Sequence, residues 1–411
     1  MEKEYLLNKS NEITLNVTDG KIDSYREKDE TQSTVRVYEN GTIGVAGALG
    51  DPDFVALEKE ATAKLGGIPY PCKLNAGVKK SIIRSTPVVA EKDIMRVGKR
   101  LTKKVAAACP RFLVNGKVQT ARHQGSYKNT KGTELAYENT SFYASFVLKD
   151  RDSSNIMDAS YGVSVSRYGK VTEQKIVDDV KTLHDAFFGE KETLPDGKYP
   201  VIVMPTDILG QVLKDFISEY YVSGGSLFKG KLGEKIFNED LTVAVDRNPI
   251  TNHSAAFYDE EGEIAANYRA NLIEKGVFKR VLNCKNTATM FGLPLSKTSA
   301  GAYDGVPSIG FPGCYLKPTA KDVNELLGAQ KAVYVVITSG GDITTEGVLG
   351  LPVQLAFVVE NGKITKRLTD FTISGNVQDV LGADFIGVTK KDVFNAPEEG
   401  VLVAKMNLIN N

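Results

Sequence analysis

The dipeptides Asp19-Gly20, Asn40-Gly41 and Asn361-Gly362 constrain this chain more than any other feature. The first two follow runs in which apolar and polar residues alternate, such as Ile13, Leu15 and Val17, or Val35 and Val37. Alternation resumes after Asn40-Gly41 with Ile43 and Val45, and LAFVVENGKITKRL reads as a hairpin around Asn361-Gly362 near the other end. Asn, Asp and Gly accept positive φ at low cost, and a two-residue turn of that kind twists as paired strands do. Antiparallel hairpins are therefore expected in both halves of the chain.

Between them lie segments with helical spacing. PDFVALEKEATAKLGG puts Phe54, Leu57, Ala61 and Leu65 on one face and stops at Gly66-Gly67. Ile94, Val97, Leu101 and Val105 mark a second helix that ends before Cys109-Pro110. Strands are read from Phe112 to Val118 and from Glu134 to Leu148. A third helix, EQKIVDDVKTLHDAFFGE, has Ile176, Val177, Val180, Leu183 and Phe187 inward. The polar stretch ETLPDGKYP, with its Pro and Gly, reads as a linker over 192–200. After it come a short strand, VIVMP, and a helix, DILGQVLKDFISEYY, with Ile208, Val212, Phe216 and Tyr220 on one face. From there the signals are mainly β: LTVAVD, KAVYVVITSGGD and GVLVAKMNLI. Strands and helices do not alternate as a doubly wound sheet requires, so the expected class is α+β. The 411 residues suit two cores: an N-terminal domain with antiparallel strands over 1–191 and a β-rich C-terminal domain over 201–411.

Lys plus Arg equals Asp plus Glu at 51 each. A nucleic-acid binder usually carries a basic excess that displaces counterions from phosphates, so no nucleic-acid partner is expected. The opening MEKEYLLNKSNEITLNV lacks the apolar core of a signal peptide, and no apolar run approaches membrane-spanning length. A cytoplasmic protein without a membrane partner is expected. Cys72, Cys109, Cys284 and Cys314 are scattered, without CxxC or a neighbouring His, and read as isolated thiols.

GSLFKGKL has the spacing of a phosphate loop, with Gly225, Gly230 and Lys231, but Leu232 stands where a Ser or Thr would hold Mg²⁺. It also follows a predicted helix rather than a strand, so no helix N-terminus faces an anion there. Nucleotide binding is not expected.

In its wider context, GGSLFKGKLGEKIFNEDLTVAVD resembles a landmark of the TldD/PmbA family, historically named modulators of DNA gyrase. Further matches follow in order: FYDEEG with NLIEKGVFKRVLN, TSAGAY, GDITTEGVLGLPVQLAFVVENGKITKRLTDFTISGN and VQDVLGADFIGV. NEITLNVTDGKIDSYREKDETQSTVRVYENGTIGVAG is similar to the family's N-terminal strands. In the TldD branch, the resemblance implies, a helix carries His-Glu-x-x-x-His, whose imidazoles and a distant Cys bind zinc while the Glu acts as general base. Three protein ligands leave zinc a position for water, whose pKa falls toward neutrality. The PmbA branch, also called TldE, lacks those ligands and partners the active subunit.

Here the metal window falls on Leu209, Gly210, Gln211, Val212, Leu213 and Lys214, without histidine. The C-terminal stretch VTKKDVFNAPEEG holds no cysteine. The sequence thus resembles the PmbA/TldE branch, and the expectation is a subunit with no catalytic residue, metal ligand or cofactor of its own. Its partner would be a zinc-bearing TldD-like homologue, or a second copy of itself in a homodimer, and its substrate an extended peptide. The candidate peptide-groove residues are His123, Gly224, Gly225, Gly340 and Gly341: glycine beside a strand edge leaves the backbone open to strand addition. His184 reads as an ordinary helix side chain and His253 as a loop residue. Asp207, Asp215 and Glu219 read as a solvated helix face rather than a cation site. Two alternatives stay open: a peptidase in its own right that uses His123 or His253 with carboxylates, and a protein–protein regulator of DNA gyrase.

Overall fold

The structure, a computed structural model, describes residues 1–410. Its N-terminal half is built on long antiparallel ladders. β1 (Glu2–Thr18), β2 (Lys21–Glu39) and β3 (Thr42–Leu49) form a meander through the two expected turns. Asp19 and Asn40 have φ of 45° and 50°, and Gly20 and Gly41 have 70° and 73°, the values that two-residue hairpins demand. α1 (Phe54–Ala63) follows and packs Leu57 and Ala61 on Val35, Val37 and Ala46. After α2 (Glu91–Ala108) come β4 (Phe112–Asn129), β5 (Glu134–Asp150) and β6 (Ala159–Val165). The strand order is β3-β2-β1-β4-β5, with β6 beside one end of β5 and the short strand Lys79–Ile83 beside the other. β1 and β4 run much further than the sequence reading had them, because their polar ends find partners in each other rather than in a core.

α3 (Lys170–Phe187) lies beside α2, and the expected apolar faces of both helices are buried. On one side they meet Leu15, Val118 and Phe142 of the sheet; on the other, Leu355, Phe357 and Val403 of the C-terminal half. One hydrophobic cluster thus spans both halves. Gly98 permits the close approach of α2, since a Cβ there would stand 2.4 Å from Leu15 Cδ1.

Residues 192–200 hold more than a connection. Lys191–Glu192 pair with a later strand, and Gly197 opens β7 (Gly197–Val203). α4 (Pro205–Val212) comes next, then a 3₁₀ turn (Leu213–Phe216) and α5 (Ser218–Ser223). The single helix expected over 207–221 is therefore broken in two. Ile217 is extended (φ −76°, ψ 130°), because Ser218 N donates to Leu282 O and Leu227 N to the Asp215 carboxylate. The phosphate-loop-like stretch fills the space beneath: Phe228 is fully buried against Phe216, Phe237 and Phe278.

β8 (Val243–Asp246) and β9 (Arg269–Glu274) form a small sheet packed on that layer. The longer strands that follow are β10 (Ala332–Thr338), β11 (Val348–Glu360), β12 (Lys363–Leu368), β13 (Phe371–Asn376) and β14 (Leu402–Asn410). β11 and β12 join through Asn361-Gly362, with φ of 51° and 70°. The pairings β7–β10, β10–β11, β11–β13, β13–β14 and β14–β7 close into a ring of five strands. Successive residues alternate between its two faces: Val201 and Val203 meet the α4 side, Ile202 the α2–α3 layer. Strand exceeds helix about two to one, and the class is α+β. Among the described residues, no helix is long and apolar enough to cross a membrane.

Candidate functional site

Along β5 and β6, Ser141, Tyr143 and Ser164 point away from the helical layer and are polar. The alternation that sends Phe142, Ala144 and Phe146 into the core dictates this. Facing them are loops of the C-terminal half, 246–260, 312–314 and 392–399. Three cavities of about 260, 330 and 300 Å³ lie between. Ser254 and Pro312 line both the first and the second, and Tyr143, Ser164 and Glu399 both the second and the third. The three run together as one cleft between the two halves of the chain. Beside it β6 is an edge strand: among the described residues it pairs only with β5, and Ser166 N and Oγ donate to Glu398 at 3.0 Å each.

The first cavity rests on a buried polar junction. Arg36, on β2 and fully buried, donates Nη1 to Glu260 O and lies 3.5 Å from Glu4 and 3.6 Å from the Glu260 carboxylate. Tyr38 and Tyr127 hydroxyls donate to Glu4 at 2.7 and 2.6 Å. Tyr70 donates to Glu261, which also accepts Lys285 N at 2.9 Å. Burial and the nearby Asp259 charge push the Glu261 carboxyl up to about 7. Arg247 donates its two Nη groups to Tyr258 O and Ser299 O, at 3.0 and 2.9 Å.

In the second cavity Asp246 accepts from Thr251 Oγ1 at 2.5 Å and from Arg269 Nε at 3.1 Å. His253 lines the same cavity, and burial together with the Arg84 charge lowers its pKa, which favours the neutral imidazole. Cys314 is there too, its thiol pushed up to about 12 by burial. In the third, Tyr334 donates to Asp392 at 3.0 Å, and burial pushes that carboxyl up to about 6.

The residues singled out in the sequence do not meet at one place. His123 sits on β4, its Nδ1 3.4 Å from Ser10 Oγ, with burial lowering its pKa. Gly224 is the left-handed C-cap of α5 (φ 89°), with Gly225 next to it against the Tyr220 ring. Gly340 and Gly341 form the exposed turn after β10, with φ of 78° and 146°. None of the five lines any of these three cavities. His184 lies between the Phe112 and Phe188 rings, at 5.8 and 5.0 Å. The residues that do converge, Tyr137, Tyr258, Glu260 and Glu399, were missed. The one available signal was FYDEEG, which sets acids directly beside aromatics.

In the metal-helix window Leu209 is buried, Gly210 and Lys214 are exposed and Gln211 is half-buried. Met204, just ahead of α4, lines the third cavity, so the helix starts at the cleft. Asp215 holds Leu227 N, and Glu219 accepts from Ser218 Oγ. Among the described residues no three or more His, Cys, Asp or Glu side chains converge to hold a metal ion. The donor set does not fit the zinc of metallopeptidases.

This fold has solved counterparts. TldE from Thermococcus kodakarensis superposes with a TM-score of 0.80 at 18% identity, over all of this chain and 97% of that one. A Thermotoga maritima protein, described as a candidate modulator of a DNA gyrase, gives 0.77 at 22% identity over 99% and 96% of the two chains. By sequence, a metalloprotease of Methanothermobacter thermautotrophicus is 24% identical over 401 residues, 89% of this chain and 85% of its own. The family profile of the PmbA/TldA metallopeptidase C-terminal domain matches residues 196–408, more than half the chain. The chain therefore belongs to the TldD/PmbA family.

Proposed function

We propose that this chain is a zinc-free, catalytically silent subunit of the TldE/PmbA kind, which holds an extended peptide in its cleft for a zinc-bearing homologue to cut. One observation carries the reading. Where the family's metal helix would present His-Glu-x-x-x-His, α4 and the turn after it carry Leu209, Gly210, Gln211 and Lys214, no one of them a zinc ligand, and only Met204, ahead of this segment, lines the cleft. The cleft itself supports the peptide part: it lies along β6, an edge to which an extended backbone can add. Purified protein is expected to carry no stoichiometric zinc by elemental analysis and to cleave unfolded peptides only after mixing with a zinc-bearing homologue. Zinc bound at one per chain, or cleavage by this chain alone, would overturn the reading.

A second reading is favoured by His253, which lines the cleft near Asp246 and Glu399 with its imidazole held in the neutral form that a general base requires. It predicts hydrolysis by the isolated chain that His253→Ala abolishes.

A further inference from the structure

The chain is neutral overall, yet its cleft is not. Asp246, Glu260, Asp392, Glu398 and Glu399 line the three cavities, against one arginine, Arg247, and His253. Three of these acids have partners: Asp246 has Arg269 and Thr251, Asp392 has Tyr334, and Glu398 has Ser166. Glu260, in the first cavity, differs. Among the described residues its carboxylate accepts no hydrogen bond, and its nearest cation is Arg36 Nη2 at 3.6 Å, on a guanidinium shared with Glu4. Arg247, beside it, already gives both Nη groups to backbone carbonyls. Burial pushes the Glu260 carboxyl above its ordinary range, against the opposing charges of Arg36 and Arg247.

A second observation comes from Tyr258, which lines the same cavity at 5% exposure with a hydroxyl that has no partner. A buried hydroxyl left unpaired costs about 1–3 kcal/mol, so such a group is seldom without a use. Its ring meets Tyr137 edge to face at 5.9 Å, and Tyr137 lines the cavity as well. A carboxylate without a donor, an unpaired phenol oxygen and two aromatic rings thus border one space of about 260 Å³.

We infer that this cavity receives a basic side chain, lysine or arginine, of a peptide lying extended in the cleft. The inference rests on the peptide-holding reading above. The ammonium or guanidinium donates to the Glu260 carboxylate and the Tyr258 oxygen, while the tyrosine rings attract it electrostatically. Its aliphatic stem packs against Leu6 and Pro312 at the cavity wall. The acids of the other two cavities favour the same class of peptide at longer range.

The test is equilibrium binding of short, flexible, fluorescein-labelled peptides to the full-length protein. Three are identical except for lysine, norleucine or glutamate at the centre. The lysine peptide is expected to bind about tenfold more tightly than the norleucine one, and the glutamate one more weakly still. Glu260→Gln should erase the preference. Tyr258→Phe should weaken lysine-peptide binding severalfold without lowering the thermal unfolding temperature, because its hydroxyl loses no partner within the fold. Equal binding of all three peptides would overturn the inference and leave the peptide-holding reading standing. Retention of the lysine preference by Glu260→Gln would do the same. If no peptide binds, the peptide-holding reading fails and takes the inference with it.

Discussion

Two regions join the halves of this molecule, and they use opposite physics. The α2–α3 layer is apolar at its centre, with Glu173 and Asp179 buried at its margins: Phe112 lies 5.0 and 4.9 Å from Phe187 and Phe188, and sheet and ring press on the helices from either side. The junction under the cleft is ionic and phenolic, built on Arg36, Glu4, Glu260, Glu261 and three tyrosines. Apolar burial is insensitive to small displacements and to pH. A buried ionic junction contributes little net stability but fails sharply when one member is removed, because the others are left charged and unpaired. The first region holds the halves together; the second fixes where one stands against the other, next to the cleft.

The comparison can be broken from either side. Phe112→Ala should have the largest effect, a loss of about 4–5 kcal/mol in urea unfolding, by the cost of emptying a packed aromatic site. That loss should be the same at pH 5 and pH 8. Arg36→Met should cost about 3–4 kcal/mol, since Glu4 then lies buried without a cation, and adding Glu4→Gln should restore part of it. A double mutant no more stable than Arg36→Met would show that the junction is not held by charge pairing.

Smaller effects carry signs. Glu261 has a pKa raised from 4.5 to about 7, so the folded state binds the proton more tightly than the unfolded one. Its contribution is fully present below pH 4.5 and is lost as pH rises through 7, a change on the order of 3 kcal/mol. Glu261→Gln should flatten the stability profile over that window. Glu173, on α3, behaves in reverse. Burial alone would raise its pKa, but hydrogen bonds from Arg100, Lys104 and Tyr168 hold it down to about 2. Its contribution is present above pH 4.5 and is lost as pH falls through 2. With both cations partly exposed, Glu173→Gln should cost about 1 kcal/mol at pH 7, and the gap should close in acid. Parallel pH profiles for the two variants would erase the distinction between the regions.

What the sequence disclosed was what local geometry decides. Asp19-Gly20, Asn40-Gly41 and Asn361-Gly362 announce their turns because positive φ is a property of those residues themselves. The faces of α2 and α3 were legible because both helices bury a single stripe. The break at Ile217 was not, since its causes, Leu282 O and Leu227 N, come from elsewhere in the chain. The cleft was hidden for the same reason. Tyr137 comes from β5, Glu260 from a loop more than a hundred residues later and Glu399 from the stretch before β14, and no spacing in the chain relates them. The histidines and glycines chosen on chemical grounds lie apart because residue type alone does not report proximity.

The closed ring has a consequence for how the molecule comes to exist. Val201 of β7 pairs with Ala404 of β14, about 200 residues downstream, and β14 bridges β7 and β13. During synthesis β7 emerges long before the strand that covers it, and its uncovered edge is exposed to any other chain with a free strand. Assembly of the C-terminal half must wait for Leu402–Asn410, so damage to those few residues would unseat strands from the whole second half rather than fray one end.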